Sequence, residues 1–321
     1  MTTPDFADQV PAPLMPSGVF GDRLAVAVAA RRSQVVLGLD PDPARLWPGA
    51  TSPEGRPSRP PAEAAAAAIE THCRTVIDAV AGSLVAVKPQ LACFERLGAP
   101  GRVALGRVVE HAHRAGLLVL ADAKRGDIDV SALAYAQSLL GSTPTPFGPV
   151  EGLGADAMTA SPYMGADTIA PLLSTARTAG AGVFVLVRTS NPGAADVADL
   201  QLADGRRLWE HVARLVHTLG VAGPQSGLAD TGAVVGATAP EHVARLRELM
   251  PTAPFLLPGV GAQGGRVQDL APAFAPGRAG GLIAASRSIV GAHATGGGSA
   301  DPATAAVGEA ERLRELAWGL A

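Results

Sequence analysis

Lysine is nearly missing from this chain of 321 residues: of 26 basic residues, only Lys88 and Lys124 are lysine, and the other 24 are arginine. Cysteine is as scarce. Cys73 and Cys93 are too few for a disulfide framework and lack metal-ligand spacing, which fits a reducing cytoplasm. No uninterrupted apolar run reaches the roughly 18 residues that would suggest a membrane span. Residues 1–21 contain Asp5, Asp8 and four prolines and no apolar core, so no signal peptide is expected. An excess of one charge is also lacking. The net charge of -3 gives no electrostatic case for binding nucleic acid or an anionic membrane. Aromatics make up only 4%, and Trp47, Trp209 and Trp318 read as packing anchors. Hydrophobic residues, at 47%, are ample for a large core and exclude a disordered chain.

The two surviving lysines matter because lysine and arginine differ in chemistry. The lysine ammonium is a compact point charge whose pKa can be moved into a useful range, whereas arginine stays charged. A chain that otherwise uses arginine for its cations has reason to keep lysine where arginine would fail. The plainer alternative is drift on solvated faces, so the surroundings of Lys88 and Lys124 decide between the two.

Short β-rich apolar runs recur along the chain, each followed by a segment of helical period. The runs are Val35–Asp40, Leu84–Gln90, Leu117–Lys124, Ala155–Ser161, Gly182–Thr189, Gly232–Thr238, Phe255–Val260 and Gly281–Arg287. The paired helical segments are 62–80, 101–115, 130–140, 167–176, 205–219, 240–249, a short one near 266–274, and 302–316. Runs that are apolar throughout, rather than alternating, belong to parallel strands buried on both faces. Eight such units predict a single (β/α)8 TIM barrel of the α/β class. A helix over 21–32 is expected to cover its bottom, with residues 1–20 as an N-terminal extension and 21–321 as one catalytic domain. A doubly wound sheet with a second domain is the alternative, but no Gly-x-Gly-x-x-Gly turn follows the first strand. Segments 48–61, 141–154, 221–231 and 292–300 read as surface loops.

In this architecture chemistry gathers at the C-terminal ends of the strands. Both lysines fall there. Lys88 ends the second strand and Lys124 the third, with Asp122 two residues before it and Asp127 just beyond. On an extended strand, residues two apart leave the same face, so Asp122 and Lys124 are expected to share one. An alternating Lys–Asp–Lys–Asp cluster keeps each group charged, because each opposite neighbour favours the charged form. A structural ion-pair network would look the same in sequence. The last two strands suggest a phosphate site. Glycines 259, 261, 264 and 265 would let backbone N–H groups approach an anion, and Arg287 adds a fork of donors. His111 and His113 stand two apart on a helix and cannot converge on one ion. Nothing in the sequence requires a metal or an organic cofactor.

These residues together resemble the orotidine 5′-phosphate decarboxylase family, in its longer bacterial subgroup. The Asp-x-Lys-x-x-Asp signature stands at Asp122, Lys124 and Asp127, followed by Ile128. Leu39-Asp40, Val87-Lys88-Pro89, Thr189-Ser190-Asn191-Pro192, Pro258 to Gly265 and Ser286-Arg287-Ser288 follow in family order, over roughly residues 20–290. The signature is shared with sister phosphosugar enzymes that use magnesium, and Lys88 separates this chain from them. The resemblance implies cofactor-free conversion of orotidine 5′-monophosphate to uridine 5′-monophosphate (UMP) and carbon dioxide, in pyrimidine synthesis in the cytoplasm. It gives Lys124 the protonation of C6, places Asp122 against the substrate carboxylate, and has Lys88 hold Asp122 and a ribose hydroxyl. Asp127, Ile128 and Ser131 would enter the neighbouring subunit's site in a homodimer. Asp40 would take the ribose and Ser190 the pyrimidine edge. Pro258, Gly259, Gly261, Gln263 and Arg287 would surround the phosphate. Ser286 departs from the glycine common at its place in shorter relatives. A metal-dependent sugar-phosphate lyase and a catalytically silent ligand-binding barrel remain the competing readings.

Overall fold

The computed structural model describes residues 18–51, 59–295 and 301–321. Most of the expected extension, residues 1–17, lies outside these, as do 52–58 and 296–300 within two of the expected loops. Eight parallel strands close into a barrel in sequence order. They are β1 (Val35–Leu39), β2 (Ala86–Pro89), β3 (Leu118–Arg125), β4 (Ala157–Ala160), β5 (Gly182–Arg188), β6 (Thr231–Val235), β7 (Phe255–Pro258) and β8 (Gly281–Ala285). Closure comes from β1 pairing with β8, Val35 opposite Ile283 and Leu37 opposite Ala285.

Strand parity explains why the runs are apolar throughout. In β1, Val35, Leu37 and Leu39 pack outward with the helices, while Val36 joins an inner cluster with Leu118, Leu120, Phe184, Leu256 and Leu282. Both sets are buried, so no polar alternation survives in the sequence.

The expected N-terminal helix, Phe20–Arg31, plugs the bottom. Its Phe20 meets Phe184 edge-on at 5.9 Å between ring centroids inside the barrel. Arg23 of the same helix binds Asp156, just before β4, and donates to the Gly180 carbonyl, just before β5. The helix is thus tied by charge as well as by burial.

Several local expectations are corrected. The loop over 141–154 contains an antiparallel ribbon, Ser142–Thr143 with Val150–Glu151, too short to leave a periodic signal. An additional helix, Leu91–Glu95, follows β2 directly. The segment near 266–274 is a 3-10 helix, Val267–Phe274, with Pro272 inside, which has no N–H for an α-helical bond. The helix expected from residue 205 begins at Leu208, where the Glu210 carboxylate accepts the Arg207 N–H at 3.0 Å. No helix among the described residues is long and apolar enough to cross a membrane.

Candidate active site

The mouth of the barrel holds a cleft of about 490 Å³, within the usual range for small-molecule sites. Leu186, Val234, Leu256 and Ala284 form its apolar floor. Asp122 stands at its centre and collects four donors. Lys88 Nζ is 2.6 Å and Gln90 Nε2 3.1 Å from Oδ2; Lys124 Nζ is 2.5 Å and Thr159 Oγ1 3.0 Å from Oδ1. Asp122 and Lys88 are only 6% and 8% exposed. Burial alone would push the Asp122 carboxyl up. The Lys88 and Lys124 ammonium groups and their hydrogen bonds outweigh that, and the carboxyl is lowered to about 2. It is a carboxylate at any neutral pH.

The reason Asp122 and Lys124 meet differs from the one expected. The end of β3 is not regularly extended. Ala121 pairs with Met158 and Arg125 with Ala160, so four residues of β3 advance against two of β4. Lys124 sits in this bulge with φ +48, in the left-handed region. A bulge re-aims a side chain, and this one turns the ammonium back over Asp122. Arg125, next in sequence, anchors the bulge by an ion pair with Glu95 on the helix after β2.

Thirteen residues were expected to form the site, and nine line this cleft: Asp40, Lys88, Asp122, Lys124, Ser190, Pro258, Gly259, Gln263 and Arg287. Gly261 does not. Nor do Asp127, Ile128 and Ser131, so the expected four-member charge alternation is a three-member cluster, Lys88–Asp122–Lys124, within one chain. Asp127 Oδ1 instead accepts its neighbour's N–H, that of Ile128, at 2.8 Å. Ile128 and Val130 beside it are exposed apolar side chains.

The glycine-rich loop also differs from expectation. Three of its four glycine N–H groups are used within the loop: Gly261 to Gly265, Gly264 to Gly261 and Gly265 to Gly259. What this builds is a tight turn, with Gly261 at φ +76 and no room for a Cβ beside Ser288. The turn holds Gln263 over the cleft, where its Oε1 accepts from Ser190 Oγ at 3.0 Å. Opposite, Arg287 lines the cleft with no carboxylate partner among the described residues. Among the described residues it is the one cleft cation left over for an external anion, since Lys88 and Lys124 are committed to Asp122.

Sequence reasoning missed Gln90 and Thr159. Gln90 lies two residues past Lys88, on the same strand parity. Thr159 is a hydroxyl in an otherwise apolar run, 1% exposed. Ser286 also lines the cleft, and its Cβ fits because its neighbour on β1 is Gly38, where a Cβ would lie 2.6 Å from it. Among the described residues no group of three His, Cys, Asp or Glu side chains could hold a metal ion.

A parallel barrel whose mouth holds a Lys–Asp–Lys cluster with a buried Lys88–Asp122 pair, and an arginine across the cleft without a carboxylate partner among the described residues, has the placement expected of an enzyme site. Comparison with known proteins narrows the class. Residues 33–297 match the "Orotidine 5'-phosphate decarboxylase / HUMPS family", and the chain belongs to that family. A relative from Rhodopirellula baltica, named orotidine 5'-phosphate decarboxylase, is 42% identical over 275 residues, 85% of this chain and 89% of its own. One of the same name from Deinococcus radiodurans is 40% identical over 84% of this chain and 88% of its own. The solved structure of Leishmania donovani OMP decarboxylase superposes with a TM-score of 0.66 at 34% identity, over 93% of this chain and 99% of that one.

Proposed function

We propose that this chain is a carboxy-lyase that converts orotidine 5′-monophosphate to UMP and carbon dioxide in pyrimidine biosynthesis. Its family membership and its named relatives support the reaction. The observation that carries the chemistry is the Lys88–Asp122–Lys124 cluster, with its carboxylate ionised and both ammonium groups held against it.

In this reading the phosphate lies near Arg287 and Gln263, the ribose against Asp40 and Lys88, and the pyrimidine edge at Ser190. The substrate carboxylate then faces Asp122. Two carboxylates at close range repel, and that repulsion disappears as the C6–carboxylate bond breaks. The bonding pair stays on C6 as a vinylic carbanion with little ring resonance to spread it. The Lys124 ammonium, fixed before the reaction begins, stabilises that charge and then transfers its proton to C6. Carbon dioxide leaves, and solvent returns a proton to the lysine. No redox partner enters the balance.

The site in this reading is completed by a second copy. Asp127, Ile128 and Ser131 lie outside their own cleft, and Ile128 and Val130 expose apolar surface beside Asp127. This supports a homodimer in which Asp127 reaches the partner's Lys124. Cys73 and Cys93 are free thiols, which supports a cytoplasmic location.

The test is an absorbance assay with orotidine 5′-monophosphate, with and without EDTA. Decarboxylation unaffected by EDTA is expected. A folded protein that turns nothing over, or one that needs a divalent metal, overturns the reading.

A further inference from the structure

The bulge that aims Lys124 takes one hold from a hydroxyl on the neighbouring strand, beside the backbone bond from Ser161 N–H to the Arg125 carbonyl. Left-handed backbone is strained for a non-glycine residue, and persists only where the surroundings enforce it. At Lys124 the enforcement is visible. Its N–H donates to Thr159 Oγ1 on β4 at 2.9 Å, and the same Oγ1 lies 3.0 Å from Asp122 Oδ1. Each direction of donation is forced. A backbone N–H can only donate and an ionised carboxylate can only accept, so the hydroxyl takes the first and gives its proton to the second. With Thr159 1% exposed, water cannot replace either bond.

We infer that Thr159 is a positioning residue that couples the Lys124 backbone to the Asp122 carboxylate and so fixes where the catalytic ammonium points. Among the described residues, no other atom joins these two groups. Gln90 and Lys88 bind the other carboxylate oxygen and leave the bulge alone. The inference rests on the decarboxylase reading, since it assigns Thr159 a share in that reaction. The geometry it describes can be examined without turnover.

Thr159→Val keeps the shape of the side chain and removes the hydroxyl; Thr159→Ser keeps the hydroxyl. For the valine variant, kcat is expected to fall about tenfold to a hundredfold, as for a displaced catalytic group, with KM and UMP affinity within about twofold. The serine variant should recover most of kcat. Amide exchange at Lys124 should accelerate about tenfold or more in the valine variant, because its N–H loses its buried acceptor. Wild-type kcat in the valine variant overturns the inference. So does serine no better than valine, or UMP affinity falling in step with kcat, because packing alone would explain those. If valine prevents folding, Thr159→Ala carries the same expectations. If the wild-type protein lacks decarboxylase activity, the functional reading fails by itself, and unchanged Lys124 exchange in the variant then overturns the coupling.

Discussion

Lys88 Nζ and Asp122 Oδ2 lie 2.6 Å apart on adjacent strands, both almost fully buried, and neither charge has enough water around it to stand alone. Removing Lys88 leaves Asp122 with Lys124, Gln90 and Thr159, whereas removing Asp122 strands the buried Lys88 ammonium. Asp122→Leu should therefore destabilise the fold by about 3 kcal/mol or more in urea unfolding. The double variant Lys88→Met/Asp122→Leu should regain most of that loss while remaining inactive. An Asp122→Leu protein as stable as wild type would show that Lys88 does not depend on Asp122.

Arg287 is the cleft cation without an internal carboxylate, so its loss should be felt in binding rather than folding. Arg287→Ala is expected to lower kcat/KM by about a hundredfold or more and to weaken UMP binding, with little change in urea midpoint. Uridine without its phosphate should bind wild type and variant equally. If uridine binding falls as much as UMP binding, Arg287 serves another part of the ligand.

Asp127 lies outside the cleft of its own chain. Asp127→Asn and Lys124→Ala should each be inactive alone. Mixed and allowed to exchange subunits, they should recover about a quarter of wild-type activity, because half the dimers are mixed and each of those has one intact site. No recovery on mixing, with exchange shown by mass spectrometry, would place Asp127 in its own chain's chemistry.

Much of this site was legible in the sequence because a barrel fixes where strand ends go. Once eight β-runs were counted, Lys88, Asp122, Lys124, Ser190, Gln263 and Arg287 had to converge. What stayed hidden was set by contacts between strands. The bulge at Lys124 depends on Thr159 in β4, and no rule within β3 announces it. The glycine-rich loop misled for a similar reason. Glycine says that backbone can approach something closely, and here most of the approach is to the loop's own carbonyls. The ribbon within 141–154 has strands of two residues, too short for any period.

His72 supplies a pH dependence separate from catalysis. Its buried Nδ1 accepts the Trp47 N–H at 3.0 Å, and burial holds the imidazole down at about 4 rather than the ordinary 6.5. Below pH 6.5 the unfolded chain takes up this proton and the folded chain does not. The contribution is whole above that pH and shrinks as pH falls toward 4, by up to about 3 kcal/mol. Urea midpoints should decline over this window in wild type and less in His72→Asn, which offers an amide oxygen to Trp47. Equal declines would remove His72 as the cause.

Lys124 is where the account is most exposed. The decisive measurement is turnover of orotidine 5′-monophosphate by Lys124→Ala beside its affinity for UMP. In this variant kcat is expected to be lower by about a thousandfold or more, since proton donor and carbanion-stabilising charge are lost together, with UMP still bound within about tenfold of wild type. Turnover near wild type in a folded Lys124→Ala protein would contradict it.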